Sequence, residues 1–127
     1  MRLEKSDFPI FLSDFDYGWL KRALREAEAY LKESKKASPP LKLIYARMSI
    51  LSSRMLVTML FPPISKYENT NINEEASNPI EYRLRSLYDK ALEKVEKIQL
   101  SEDEAVEISD FLYNLSSTIL EQILSKN

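Results

Sequence analysis

The chain has 127 residues, 18 of them basic and 20 acidic, for a formal charge of −2, with no cysteine, no histidine and one glycine, Gly18. That length suits a single domain with its own core. The missing cysteine and histidine exclude disulfides, thiolate or imidazole metal sites and an imidazole base, and a lone glycine excludes phosphate-cradling loops and argues against sheets.

The start "MRLEKSDFPIF" has no apolar signal-peptide core, so a cytoplasmic protein is expected. Plentiful Ile, Leu, Lys and Glu give the composition a thermophile-like cast. Residues 1–12 read as an extended arm in which Phe8, Ile10, Phe11 and Leu12 either staple onto the first helix or dock on another chain.

The first helix opens at "SDFD", with Ser13 as cap and Asp16 three residues on. Its apolar stripe is Phe15, Trp19, Leu20, Ala23, Leu24, Ala27, Tyr30 and Leu31. Lys21, Arg22, Arg25, Lys32, Lys35 and Lys36 are the candidate nucleic-acid footprint. Glu26, Glu28 and Glu33 interrupt them, so a solvated face explains them as well; real phosphate binding would weaken with salt.

Ser38 and Pro39 predict the start of a second helix that runs to Phe61, where Pro62 and Pro63 stop it. Leu41, Ile44, Met48, Leu51, Met55 and Met59 form one apolar face of this helix, and Leu43, Ile50, Val57 and Phe61 another. Lys42, Ala46, Ser49 and Ser53 make a small polar strip. A helix apolar on two sides is the one its neighbours pack around. Its methionines read as core filler or as an adaptable binding surface. Residues 43–61 are also the only candidate membrane span, but Arg47 and Arg54 would each cost roughly 2.5–3.5 kcal/mol at a bilayer centre. The two arginines project from the seam between the apolar faces. Internal ion pairs with the acidic second half, a phosphate contact and salt bridges to a protein partner all fit them.

Residues 62–79 form a long polar, Asn-rich connection, either a plain insertion or a partner-binding loop. A third helix then opens with Asn78 as cap and Pro79 at its first position, carrying the stripe Ile80, Leu84, Leu87, Tyr88, Ala91, Leu92, Val95 and Ile98. Arg85–Asp89 and Glu93–Lys97 are expected as four-apart ion pairs. The fourth helix starts with a capping box of Ser101 and Glu104, and its inner stripe is Ile108, Leu112, Leu115, Ile119 and Ile123. Val106, Phe111, Leu120 and Leu124 fall off that stripe.

The sum is a single all-α domain over 1–127, a compact bundle of about four helices with one long loop. Residues 1–61 carry 11 basic and 7 acidic side chains, a charge of +4, while 62–127 carry 7 and 13, a charge of −6. Either the halves neutralise each other on packing, or a charged partner does so. For catalysis only carboxylates remain. Asp14, Asp16, Glu102, Asp103 and Glu104 are explained by helix starts, and Glu74–Glu75 lack a second acidic pair. No enzyme, metal or cofactor is expected. The expected function is a helical subunit or adaptor with a protein partner or self-association, using Arg47, Arg54, Phe111, Leu120 and Leu124. A small helical nucleic-acid-binding subunit is the alternative.

"LSDFDYGWLKRALREAEAYLKE", "YARMSILSSRMLVTML" and "NPIEYRLRSLYDKALEKV" together resemble the helical domain of archaeal GINS replication proteins over about residues 12–98. The first looks like that family's acidic-aromatic opening, the second like its arginine-bearing central helix, the third like its later helix. GINS subunits usually carry a small β domain as well, whereas residues 99–127 here read as a further helix. The resemblance implies a non-catalytic subunit that joins a helicase to its partners in DNA replication.

Overall fold

The computed structural model describes residues 14–61 and 79–125, with side chains over 14–61 and 81–122. The expectations for the arm at 1–12, the caps Ser13 and Asn78, the loop after Phe61, and the side chains of Ile80, Ile123 and Leu124 lie outside those residues. The described residues form four helices, α1 (Asp14–Lys36), α2 (Leu41–Leu60), α3 (Pro79–Glu96) and α4 (Glu102–Ser125), and no strand. It is an all-α bundle.

Cross-helix contacts fix the directions. Tyr30 stacks on Tyr45 and Ser49 reaches Ala27, which sets α1 antiparallel to α2. Arg47 meets Glu96 and Arg54 meets Asp89, so α3 also runs antiparallel to α2. Ser109 reaches Ala46 and Ser116 reaches Ser53, a constant offset that only parallel helices give, so α4 runs alongside α2. The helices therefore go up, down, up, down, and α2 touches all three others.

The α2–α4 contact is made by small residues. Ala46, Ser49, Ser53, Ala105, Ser109 and Ser116 are all fully buried. The Ser109 hydroxyl donates to the Ala46 carbonyl at 2.8 Å and the Ser116 hydroxyl to the Ser53 carbonyl at 3.0 Å. Toward α1, the Ser49 hydroxyl donates to the Ala27 carbonyl at 2.8 Å. Interaxial distance shrinks with side-chain size at the crossing, and a helix carbonyl has a second lone pair to offer. Of the strip that reads as small and polar in sequence, Ala46, Ser49 and Ser53 are thus the buried seam. Ile50, Leu56, Val57 and Leu60 flank it inside.

The other helices differ from expectation by small rotations. On α1 the core is reached by Tyr17, Leu20, Leu24, Ala27, Leu31 and Ser34, and Phe15 and Trp19 point outward. On α4 the buried side runs through Ala105, Val106, Ser109, Leu112, Ser116, Ile119 and Leu120, which leaves Ile108 and Leu115 at its edge. The serine contacts with α2 set that rotation. α2 itself begins at Leu41, and its start is held by the Ser38 carbonyl accepting from the Lys42 N–H; no side-chain cap contributes.

Both predicted ends of α4's entry are seen. The Ser101 N–H donates to the Glu104 carboxylate at 3.0 Å, and the Glu104 N–H donates to the Ser101 hydroxyl at 3.2 Å. These bonds, the backbone one first, hold the Glu104 carboxyl below its ordinary value. α3 stops at Glu96, short of the expected Ile98. The Gln99 N–H reaches back to the Lys94 carbonyl and the Ile98 N–H to that of Val95, a Schellman turn that puts Ile98 at φ 53°. A β-branched residue is strained there, and its side chain is 75% exposed, so it recovers little by burial. Ile98→Gly is therefore expected to stabilise the fold by about 1 kcal/mol, read as a higher urea midpoint at unchanged m-value.

Candidate functional site

Two apolar surfaces and two ion-paired edges make up the candidate site. With α2 and α4 pressed together, the outward side of each is open. On α4 that side is Asp103, Glu104, Glu107, Asn114, Thr118 and Glu121, with Phe111 as its one large apolar residue. On α2 it is Leu41, Ile44, Leu51 and Met55, with exposures of 51, 49, 39 and 45%. Half-buried Met48 lies between them. The broad apolar face expected to help build the core is therefore largely on the outside.

This face continues onto α1. Trp19, Arg22, Ala23, Glu26, Met55 and Met59 line a groove of about 300 Å³. Trp19, 48% exposed, packs edge-to-face with Phe15, 72% exposed, at 6.0 Å between ring centres. The Arg22 guanidinium sits 5.7 Å from the Trp19 ring and pairs with Glu26 at 3.8 Å.

Along the α3 side of the face stand the two arginines. Arg47 donates to Glu96 at 2.8 Å, and Arg54 donates to Asp89 at 2.7 Å. All four side chains are at least one-third exposed, Glu96 the most at 52%, so each pair contributes at most about 1 kcal/mol. Asp89 is taken by Arg54, and the expected Arg85–Asp89 pair does not form. Arg85 instead donates to Glu81 at 2.7 Å and to the Phe61 carbonyl, closing the C-terminal end of α2. Glu93 and Lys97 do pair, at 2.8 Å. With Lys42–Asp103 and Lys35–Asp110, the basic first half neutralises the acidic second half across helices.

The second apolar surface lies between α3 and α4. Leu87, Ala91, Ile108 and Phe111 line a groove of about 320 Å³, bordered by Lys90 and Lys94. Phe111 is 58% exposed there, whereas Leu120, expected at the same interface, is buried in the core because α4 turns it toward α1. Leu124 lies outside the described side chains.

Among the basic residues of α1, Arg22 lies in the Trp19 groove beside α2, whereas Lys21, Arg25 and Lys35 lie on the side that meets α4. Lys21 and Arg25 share a groove with Glu28, Tyr113 and Glu121. Further along, Lys32 pairs with Glu28 at 3.4 Å and Lys35 with Asp110 at 3.8 Å, and Lys36 is exposed at the end of the helix. Tyr113 donates to Glu28 at 2.8 Å; that bond, then the Lys32 charge, keeps the Glu28 carboxyl low. Acids are interleaved throughout, so the edge has mixed sign. No group of three or more His, Cys, Asp or Glu able to hold a metal ion occurs among the described residues. α2 is long and apolar enough to cross a membrane by length and composition, with 39% of that stretch buried in the bundle.

The sequence points to Phe111 and to the arginines, and to the open side of α2 only through the second of two readings of its methionines. Its signal was the spacing of residues 41, 44, 48, 51 and 55, which steps by three and four along a single seam. Comparison with family models, with curated proteins and with solved structures finds no match.

Proposed function

We propose that this chain is a non-enzymatic subunit or adaptor of a cytoplasmic multiprotein assembly. One observation carries the reading: the open side of α2 is aliphatic where the equivalent side of α4 is charged. Exposed apolar strips of that size mark interaction surfaces. The Lys90/Lys94-bordered groove at Phe111 shares no residue with it and offers a second contact, suited to an apolar segment with acidic flanks. DNA replication, the setting implied by the GINS-like segments, is the assembly to test first.

The test is an affinity pull-down from source-organism lysate, with and without nuclease, read by mass spectrometry. Protein partners that survive nuclease and are lost on Phe111→Glu are the expected result. Helicase or polymerase subunits among them would place the assembly in replication. Recovery that depends wholly on nucleic acid would overturn the adaptor reading in favour of a nucleoprotein subunit, with Arg25→Glu as the variant that loses binding.

A further inference from the structure

We propose that the open face of α2 binds a second copy of this chain, as an antiparallel pair of α2 helices related by a two-fold axis near Met48. The proposal rests on the interaction-protein reading above and names its first partner.

The spacing of the face supports a helical occupant. Leu41, Ile44, Met48, Leu51 and Met55 follow the alternating three- and four-residue steps of a two-helix seam, over about 21 Å of helix. A single helix cannot satisfy such a seam from one side. The pattern is centred on Met48, so rotation about an axis there returns an apolar position on an apolar position. Leu41 of one copy then falls near Met55 of the other, and Ile44 near Leu51.

The available area fits a dimer. Leu41, Ile44, Leu51, Met55, Phe15 and Trp19 are 39–72% exposed. With roughly 150–250 Å² offered by a large apolar side chain, these six supply on the order of 600 Å². One side of a stable interface needs about 800 Å². Half-buried Met48 and Met59 and the stems of the rim arginines make up the difference.

Charge supports a like partner. Each arginine bordering the face already holds a carboxylate: Arg47 with Glu96, Arg54 with Asp89, Arg22 with Glu26. A rim of neutralised pairs meets its own copy without a run of like charges, and the net charge of −2 adds little long-range repulsion. In the antiparallel arrangement, the Arg47–Glu96 pair lies beside the axis and meets its own symmetry mate, while the two Arg54–Asp89 pairs stand about 9 Å out on either side. That arrangement also brings Leu41 of one copy to the end of the other's groove at Trp19, Met55 and Met59. A parallel pair would leave Leu41 against Leu41 and put the two grooves at the same end on opposite sides of the contact.

The experiment is sedimentation velocity on the full chain at about 100 µM, alongside Leu51→Glu and Ile44→Lys. A dimeric parent, with both variants monomeric at unchanged helicity and melting like the parent once the parent is diluted below its dissociation constant, is the expected result. A monomeric parent overturns the proposal and gives the face to a different occupant. Variants that stay dimeric also overturn it, because the dimer then uses another surface. Cysteine cross-linking decides the matter even where a charged variant fails to fold, since the parent has no cysteine. Met48→Cys should form a disulfide-linked dimer on mild oxidation. Leu41→Cys and Met55→Cys should each fail alone and link when mixed. Efficient linking of each alone would establish a parallel pair and overturn the geometry proposed. A monomer that still recovers proteins from lysate sinks the dimer and leaves the adaptor reading intact; a dimer that recovers none does the reverse.

Discussion

Ser53→Leu is expected to destabilise the fold by about 3 kcal/mol. In sequence the change makes an amphipathic helix more apolar. In the structure Ser53 is fully buried where α2 and α4 touch, and its carbonyl accepts from the Ser116 hydroxyl at 3.0 Å. An isobutyl group there must push α4 off α2, which breaks that bond and loosens the matching contact at Ser109 and Ala46. Ser53→Ala is the control. The Ser53 hydroxyl finds no partner among the described residues, so removing it should leave stability unchanged or slightly raised. Urea denaturation of the three proteins separates the effects. Equal midpoints for the leucine variant and the parent would mean the seam is not close-packed.

The second large effect is a pH dependence that belongs to Tyr88. This side chain is fully buried, the bulkiest one so placed, and its hydroxyl meets the Ser116 hydroxyl and the Leu112 carbonyl. Burial disfavours the phenolate and pushes the hydroxyl up to about 12, only partly offset by the Ser116 bond. The folded state therefore holds its proton more tightly than the unfolded chain, where the value is near 10. The resulting stability is fully present below pH 10 and is lost as pH rises from 10 toward 12. Over that range it amounts to about 3 kcal/mol. Tyr88→Phe should flatten this part of the profile. Comparing the pH dependence of the two proteins isolates Tyr88 from the rest of the chain. A parent and variant whose stabilities fall in parallel would show that Tyr88 does not ionise on unfolding.

The helices and much of how they begin follow from local chemistry. Pro79 at the first position of α3 and the reciprocal Ser101–Glu104 box are local chemistry, decided within four residues, so no tertiary information was needed to read them. The apolar periods of α1 and α3 were legible for the same reason, and so was the central place of α2. The pairing of Arg47 and Arg54 with acids from the second half was one of three readings open in sequence, and the α3 carboxylates Glu96 and Asp89 provide it.

Which side of α2 is inside depends on contacts between helices far apart in the chain. A hydrophobicity wheel ranks Leu41, Ile44 and Leu51 above Ala46, Ser49 and Ser53, because it scores transfer from water and not distance of approach. Close contact between two backbones rewards small side chains whose hydroxyls can use a neighbouring carbonyl. Here the required carbonyls, those of Ala27, Ala46 and Ser53, are supplied by the helices in contact. The rotation of α4 that buries Val106 and Leu120 follows from the same bonds, which join residues 63 positions apart. The open aliphatic face of α2 is the consequence: α1, α3 and α4 gather on the serine side and its flanks, and the side opposite is left for another molecule to cover.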